Sequence, residues 1–431
     1  MRRSLVAFAA AALVACARDP VIERTQVERV ISTLAADSMA GRRAFTPAAD
    51  RAARFLRDEF TAIGLEPLDG LDDYLQSFSA YSLSVERASV VLNGRHVPEQ
   101  RVATVLSRAS LHWSTGDSVQ VVTVGPRENP MRALGSVLRS SGNTLALFDP
   151  AHRQLFDQLK SERVMPSRRL ELGGTRNIVL LLTQENQARS FRVDVTAAVH
   201  QEPLANVVGM IPGRRRDESV LFSAHYDHLG VGRPVNGDSI FNGANDNASG
   251  TTAVVELARY FRAKRPPERT LVFAAFAAEE AGGFGSRYFS ERLDPDQIVA
   301  MFNIEMIGKP AAQGPNHAWI TGFEHSSFGK ILQEAGGTAF AFGPDPYPQE
   351  NLFYRSDNAT LARLGVPAHS ISTTPIDVDP DYHQVSDEVG RLDLEHLTNT
   401  IRGIARGAAP IVEGRATPTR VDTTQVRGLS R

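Results

Sequence analysis

Seven side chains in this sequence could do chemistry together. His225 and Asp227 close the apolar run VLFSAHYDHLG (220–230), and Asp246 sits in the Gly/Asn-rich turn FNGANDNASG (241–250), just ahead of a helix-like segment. Glu279, Glu280, Glu305 and His383 follow, each at or near the end of another apolar run. His and Asp at the ends of buried strands are the usual suppliers of a metal site on an α/β scaffold. Two divalent cations about 3.5–4 Å apart can share a hydroxide and polarise a carbonyl. That chemistry needs one bridging carboxylate, two further His or Asp/Glu ligands per cation, and an open position. The chain supplies such a set: Asp246 to bridge, with His225, His383, Glu280 and Glu305. Asp227, two residues past His225, is suited to accept the other ring N–H and fix its tautomer. The set reads as a metallohydrolase.

Each of these residues also has a plainer reading. Lone histidines such as His228 and His369 are more often structural than ligating, and both are left out of the set. Adjacent carboxylates such as Glu279-Glu280 are normally a solvated pair at a helix start. Here they follow the apolar run Leu271–Ala278 and precede Ala281-Gly282-Gly283, which points to a strand-end loop with diverging side chains. Asn245-Asp246-Asn247 could be a simple turn, but Gly243, Gly250 and the small neighbours suit a turn held tightly against a metal.

The elements that must position these residues begin at Leu204. Strand-like runs at 206–211, 220–224, 269–277, 299–306, 318–320 and 368–371 alternate with helical stretches at 247–264, 326–334 and 392–405. This rhythm predicts an α/β fold with a mixed, mainly parallel sheet covered by helices on both faces. Residues 20–70 read as two helices. The second is capped at Thr46-Pro47 and stopped by Gly64; Ala40–Arg43 between them is read as a loop. From 84 to 199 short β-like runs alternate with polar turns, without a His/Asp/Glu cluster. About 115 residues is too long for a loop inside a compact domain, so this stretch is read as an inserted, mostly β domain. The expected organisation is a leader at 1–15, an N-terminal part of the main domain at 16–83, the insert at 84–199, the catalytic part at 200–412, and a disordered tail at 413–431.

With 431 residues and 42% hydrophobic content the chain can bury a sizeable core. A net charge of −2 without long single-sign runs gives no footprint for nucleic acid. Arg2-Arg3 and the apolar run Leu5–Val14 form a targeting segment. Its end, Leu13-Val14-Ala15-Cys16, resembles the lipobox of bacterial lipoproteins, and Cys16 is the single cysteine. The resemblance implies an exported chain without disulfides, lipid-anchored through Cys16. Because Ala17 rather than an aspartate follows the cysteine, the expected place is the periplasmic side of the outer membrane.

Five motifs occur in a recognisable order: His225-Tyr226-Asp227, Gly243–Gly250, Ala278-Glu279-Glu280-Ala281-Gly282, Asn303–Gly308, and Tyr382–Asp387. Together with LAADSMAGR…AARFLRDEFTAIGLEP (34–67) they resemble the co-catalytic zinc aminopeptidases of metallopeptidase family twenty-eight. That family also includes glutamate carboxypeptidases, plasma dipeptidases and glutaminyl cyclases. The resemblance implies the zinc aminopeptidase fold and two zinc ions per chain. It makes Asp246 the bridge, pairs Glu280 with His383 on one metal, and pairs His225 with Glu305 on the other. Glu279 is then the general base, Tyr382 the donor to the oxyanion, and Arg355 a substrate contact; the Asp246–Asn247 bond is expected to be cis. One position departs from the pattern: the family usually has aspartate where this chain has Glu305, which bears on recognition of a substrate's free amine. The implied activity is removal of N-terminal residues from peptides. The alternatives are a dipeptidase or carboxypeptidase, a glutaminyl cyclase, and a non-catalytic module that keeps the fold. The insert resembles, in position, the protease-associated domain of many relatives.

Overall fold

The computed structural model describes residues 20–160 and 168–426. Its centre is a mixed sheet, 12-stranded among the described residues. The principal strands are β1 (Leu75–Leu92), β2 (Phe191–Ile211), β3 (Arg215–His225), β4 (Arg269–Phe276), β5 (Ile298–Ile304), β6 (His317–Ile320), β7 (Ala341–Pro344) and β8 (Ala368–Ser372). They lie in the order β7-β6-β8-β5-β3-β4-β2-β1. The middle of the sheet, β4-β3-β5-β8, is parallel; β2 joins β4, β1 joins β2 and β6 joins β8 antiparallel. From β3 the chain moves to β4 on one side and then to β5 on the other. The order therefore reverses at β3, and a crevice opens outside the C-terminal strand ends at such a point.

Alternation along these strands divides the core into two faces. Val220, Phe222, Leu271, Phe273, Ala300 and Phe302 point to one, together with helices α1 (Arg24–Leu34), α2 (Pro47–Ile63), α3 (Gly250–Arg262) and α4 (Leu394–Val412). Leu221, Val272, Phe276 and Met301 point to the other. As expected, α2 carries Pro47 in its first turn and ends at Gly64, which adopts the left-handed φ of 76°. Among the described residues no helix is long and apolar enough to cross a membrane.

Two expectations need correcting. Residues 413–426, read as part of a disordered tail, return across the second face and bury Val421 and Val426. The segment is tied down by the buried Arg269, which donates to the carbonyls of Ile411 and Ala416 and to Thr417. Its polar composition hides two apolar anchors spaced too far apart to form a periodic pattern. Residues 427–431, the leader and Cys16 lie outside the described residues.

The stretch read as mostly β holds a second, four-stranded sheet in the order 102–105, 178–182, 144–148, 120–124, with two helices, Pro130–Leu138 and Arg153–Lys160. It is α/β in character, because helices cover the sheet face formed by Val105, Ala146, Phe148 and Leu180. Its other face packs on β1 and β2 through Leu145, Leu147, Val179 and Leu181. Nor does the chain break at 84 or 199. β1 and β2 pair without interruption from Leu75↔Val207 to Leu92↔Phe191, apart from a shift of register at Thr196/Ala197.

Candidate metal centre

The parallel strand ends bring the expected residues to one place. His225 is the last residue of β3, Glu305 follows the last residue of β5, and Glu279-Glu280 lie in the turn after β4. Asp246 occupies the irregular turn Ala244–Ser249 between β3 and α3, and the Asp246–Asn247 bond is cis as expected. His225 Nε2 lies 3.3 Å from Asp246 Oδ1 and 3.4 Å from Glu305 Oε2. His383 Nε2 lies 3.1 Å from Asp246 Oδ2 and 3.4 Å from Glu280 Oε1. Asp246 thus turns one oxygen to each pair, as a bridging carboxylate must.

The supports are specific. His225 Nδ1 faces the main-chain oxygen of Asp227 at 3.1 Å, so it carries the proton and leaves Nε2 free to ligate. This corrects the role expected of the Asp227 side chain. Its carboxylate is 3.8 Å from that nitrogen and accepts instead from the Glu279 backbone N–H at 3.0 Å. It therefore anchors the turn of the paired glutamates rather than the ring. Asp387 accepts from the N–H groups of Asn245 and Asp246 and so fixes the bridging turn. The Asn247 side chain donates to Glu305 Oε2 at 2.7 Å, and Asn303 and Ser356 donate to Oε1 at 3.1 and 2.6 Å. Behind the turns lies Arg42, fully buried. Its guanidinium donates to the carbonyls of Leu34, Tyr226, Asn242 and Gly243, joining the 37–42 turn to both metal-side loops.

The carboxylates dominate the electrostatics of the centre. The adjacent carboxylates of Asp246 and Glu280 raise His383 to about 10. His225 is also raised well above its usual value: burial opposes this, and Glu305 and Asp246 outweigh it. Burial first, then the neighbouring carboxylates, hold Glu279 well above the usual carboxylate range. A centre crowded with carboxylates and imidazoles in this way fits divalent cations, and the N/O donor set fits zinc.

Glu279, Tyr382 and Arg355 line the same cavity, of ≈ 300 Å³, whose apolar wall includes Met306, Trp319, Leu352 and Ile376. Tyr382 stacks on His383 with ring centroids 4.0 Å apart. Arg355 pairs with Glu350 at 3.0 Å. His369 is structural as expected, stacked on Phe328 and hydrogen-bonded to Thr321 and Ser326. His228 is different: it is fully buried beside Glu280, among the metal-side residues. Sequence reasoning passed over it, although its place one residue after Asp227 was a usable signal. Asp387 and Arg42 lie within the sequence motifs, but residue type and spacing do not mark their structural roles.

A mixed α/β sheet with two His–carboxylate pairs sharing one aspartate defines the class of α/β proteins built around a two-metal centre. Residues 206–408 match the model of peptidase family M28. A probable zinc metalloprotease of Leptosphaeria maculans is 37% identical over 108 residues, 24% of this chain and 25% of that protein. Aminopeptidase YwaD of Bacillus subtilis is 31% identical over 214 residues, 44% of this chain and 41% of that protein. The chain thus spans well under half the length of these curated relatives. Among solved structures, a zinc aminopeptidase from Bacillus subtilis matches with a TM-score of 0.55 at 15% identity, over 93% of this chain and 98% of that one. An aminopeptidase from Aneurinibacillus sp. strain AM-1 matches at 0.51 and 18%, over 95% and 97%. At these identities the likeness is one of fold.

Proposed function

We propose that the chain is a zinc-dependent exopeptidase that removes N-terminal residues from peptides. The observation that carries this reading is the placement of Glu279. Among the described carboxylates beside the two pairs, it faces the cavity without being part of either pair. His225, Asp246 and Glu305 would hold one zinc ion, and Asp246, Glu280 and His383 the other. Bound there, the metals supply Lewis-acid polarisation of the scissile carbonyl and acidify a water. Glu279 takes the proton of the attacking water and returns it to the leaving amine. The Tyr382 phenol, kept protonated by burial and by the nearby carboxylates, donates to the developing oxyanion. The apolar wall of Met306, Trp319, Leu352 and Ile376 receives the substrate's first side chain.

One feature favours a second reading, a dipeptidase or carboxypeptidase: the Arg355 guanidinium lines the cavity and could take a substrate carboxylate. Hydrolysis of free, N-acylated and C-terminally amidated peptides separates the two. An aminopeptidase cleaves the amidated peptide and favours the free N-terminus over the acylated one; equal or faster cleavage of the acylated peptide overturns the reading.

Lipid attachment at Cys16 and an outer-membrane location belong to the same proposal, supported by the sequence Leu13-Val14-Ala15-Cys16. Cys16→Ser should move the protein out of the membrane fraction, and unchanged partition would count against the anchor.

A further inference from the structure

His228 lies on the loop after β3, with its ring packed against Gly243. A Cβ at 243 would come within 2.4 Å of the imidazole, so the glycine there makes room for this ring. The imidazole stands edge-on to that of His383, with centroids 5.8 Å apart. Its Nδ1 is 2.9 Å from Glu280 Oε1 and 3.9 Å from Asp246 Oδ2. A tetrahedral zinc with donors at about 2.0–2.1 Å holds them roughly 3.3–3.4 Å from one another, and these separations bracket that spacing.

The polar atoms are also unsatisfied. His228 is fully buried, yet neither ring nitrogen makes an aligned hydrogen bond among the described residues, and Glu280 Oε1 lacks one too. Buried imidazoles and carboxylates normally find partners. The donor atoms of His228, Asp246 and Glu280 lie close enough together to hold one cation.

We propose that His228 Nδ1 is a ligand of the metal held by Asp246, Glu280 and His383. That half of the centre is then closed by four protein donors, whereas His225, Asp246 and Glu305 leave the other half open to water and substrate. The asymmetry matches the division between closed structural and open catalytic zinc sites. The inference rests on the two-metal reading and adds an order: the closed half retains its ion and the open half exchanges.

The test has two arms. In the wild-type protein loaded with Co2+, proton NMR counts the paramagnetically shifted ligand imidazoles. Three are expected, from His225, His228 and His383; two would overturn the proposal. In His228→Asn, zinc titration against a competing chelator should show one of the two zinc ions weakened by more than about 100-fold, beyond the 10–100-fold typical of an outer-shell partner. The other ion should be nearly unchanged. Both ions retained within about 10-fold would overturn it, as would an intermediate loss with only two imidazoles counted. If His228→Asn does not fold, the wild-type count decides. A wild-type protein that binds no metal would overturn the two-metal reading itself, a result distinct from two bound metals with only two imidazoles.

Discussion

Glu279 and Glu305 are the residues on which the chemistry can be tested most directly. In Glu279→Gln the side chain keeps its shape but cannot take a proton. Turnover should fall by about 10²–10⁴-fold while zinc content, measured by elemental analysis, stays the same. A near wild-type rate would assign the proton transfer to another group. Glu305 holds its extra methylene in place through Asn303, Ser356 and Asn247. Its Oε1 already accepts two hydrogen bonds, so it has little capacity left for a substrate ammonium. Charge-assisted contacts of that kind are worth about 1.5–3 kcal/mol when aligned. The wild type should therefore discriminate only weakly against N-acylated peptides. Glu305→Asp should sharpen the discrimination, read as the ratio of kcat/KM for free and acylated substrates, provided both metals remain bound. The five proposed donors were legible because metal chemistry restricts residue type, because His225, Glu280 and Glu305 lie at or just past strand ends, and because Asp246 and His383 stand in recognisable motifs. The true partner of Asp227 was not, because which atom a side chain reaches depends on how the turn after β4 folds back over it.

At the scale of elements, α2, β3, β4 and β5 announce themselves through periodicity, whereas the short pieces that hold the loops do not. The 37–42 turn carries Arg42 at a positive φ of 50° to a fully buried position, with no repeat to mark it. Arg42→Met should leave four carbonyls without their donor and cost several kcal/mol, roughly 1–3 for each acceptor that water cannot reach. The loss should appear as a lowered Tm together with weaker zinc retention, since the carbonyls of Tyr226 and Gly243 flank two metal-side loops. His369 in β8 gives a pH signature. Burial pushes it down to about 4 from 6.5, so the unfolded chain takes up the proton first. Its contribution to stability is complete above about pH 6.5 and is lost as the pH falls toward 4, on the order of 3 kcal/mol in all. The drop in Tm between pH 7 and pH 5 should accordingly be smaller in His369→Gln than in the wild type.

Across the whole molecule, the segment past α4 closes the second face of the sheet. Ending the chain at Val412 would remove Val421 and Val426 from the core and strip Arg269 of Ala416 and Thr417. About 3 kcal/mol or more of stability should go with them, read as a lower denaturation midpoint at unchanged metal content. Composition concealed this, since two valines in a polar segment carry no period. It also concealed the nature of the insert, whose helices are short and lie between strands that dominate its pattern. The β1–β2 ladder, continuous from the catalytic sheet into the insert, has an evolutionary consequence. Because neighbouring residues on a strand face opposite sides, a one-residue change in β2 would turn Val193 and Val195 outward, one in β1 would turn Ala88 and Val90 outward, and either would break the insert's seat. Related chains should therefore lengthen or shorten this arm by two residues per strand, or by one residue absorbed at the irregularity beside Thr196.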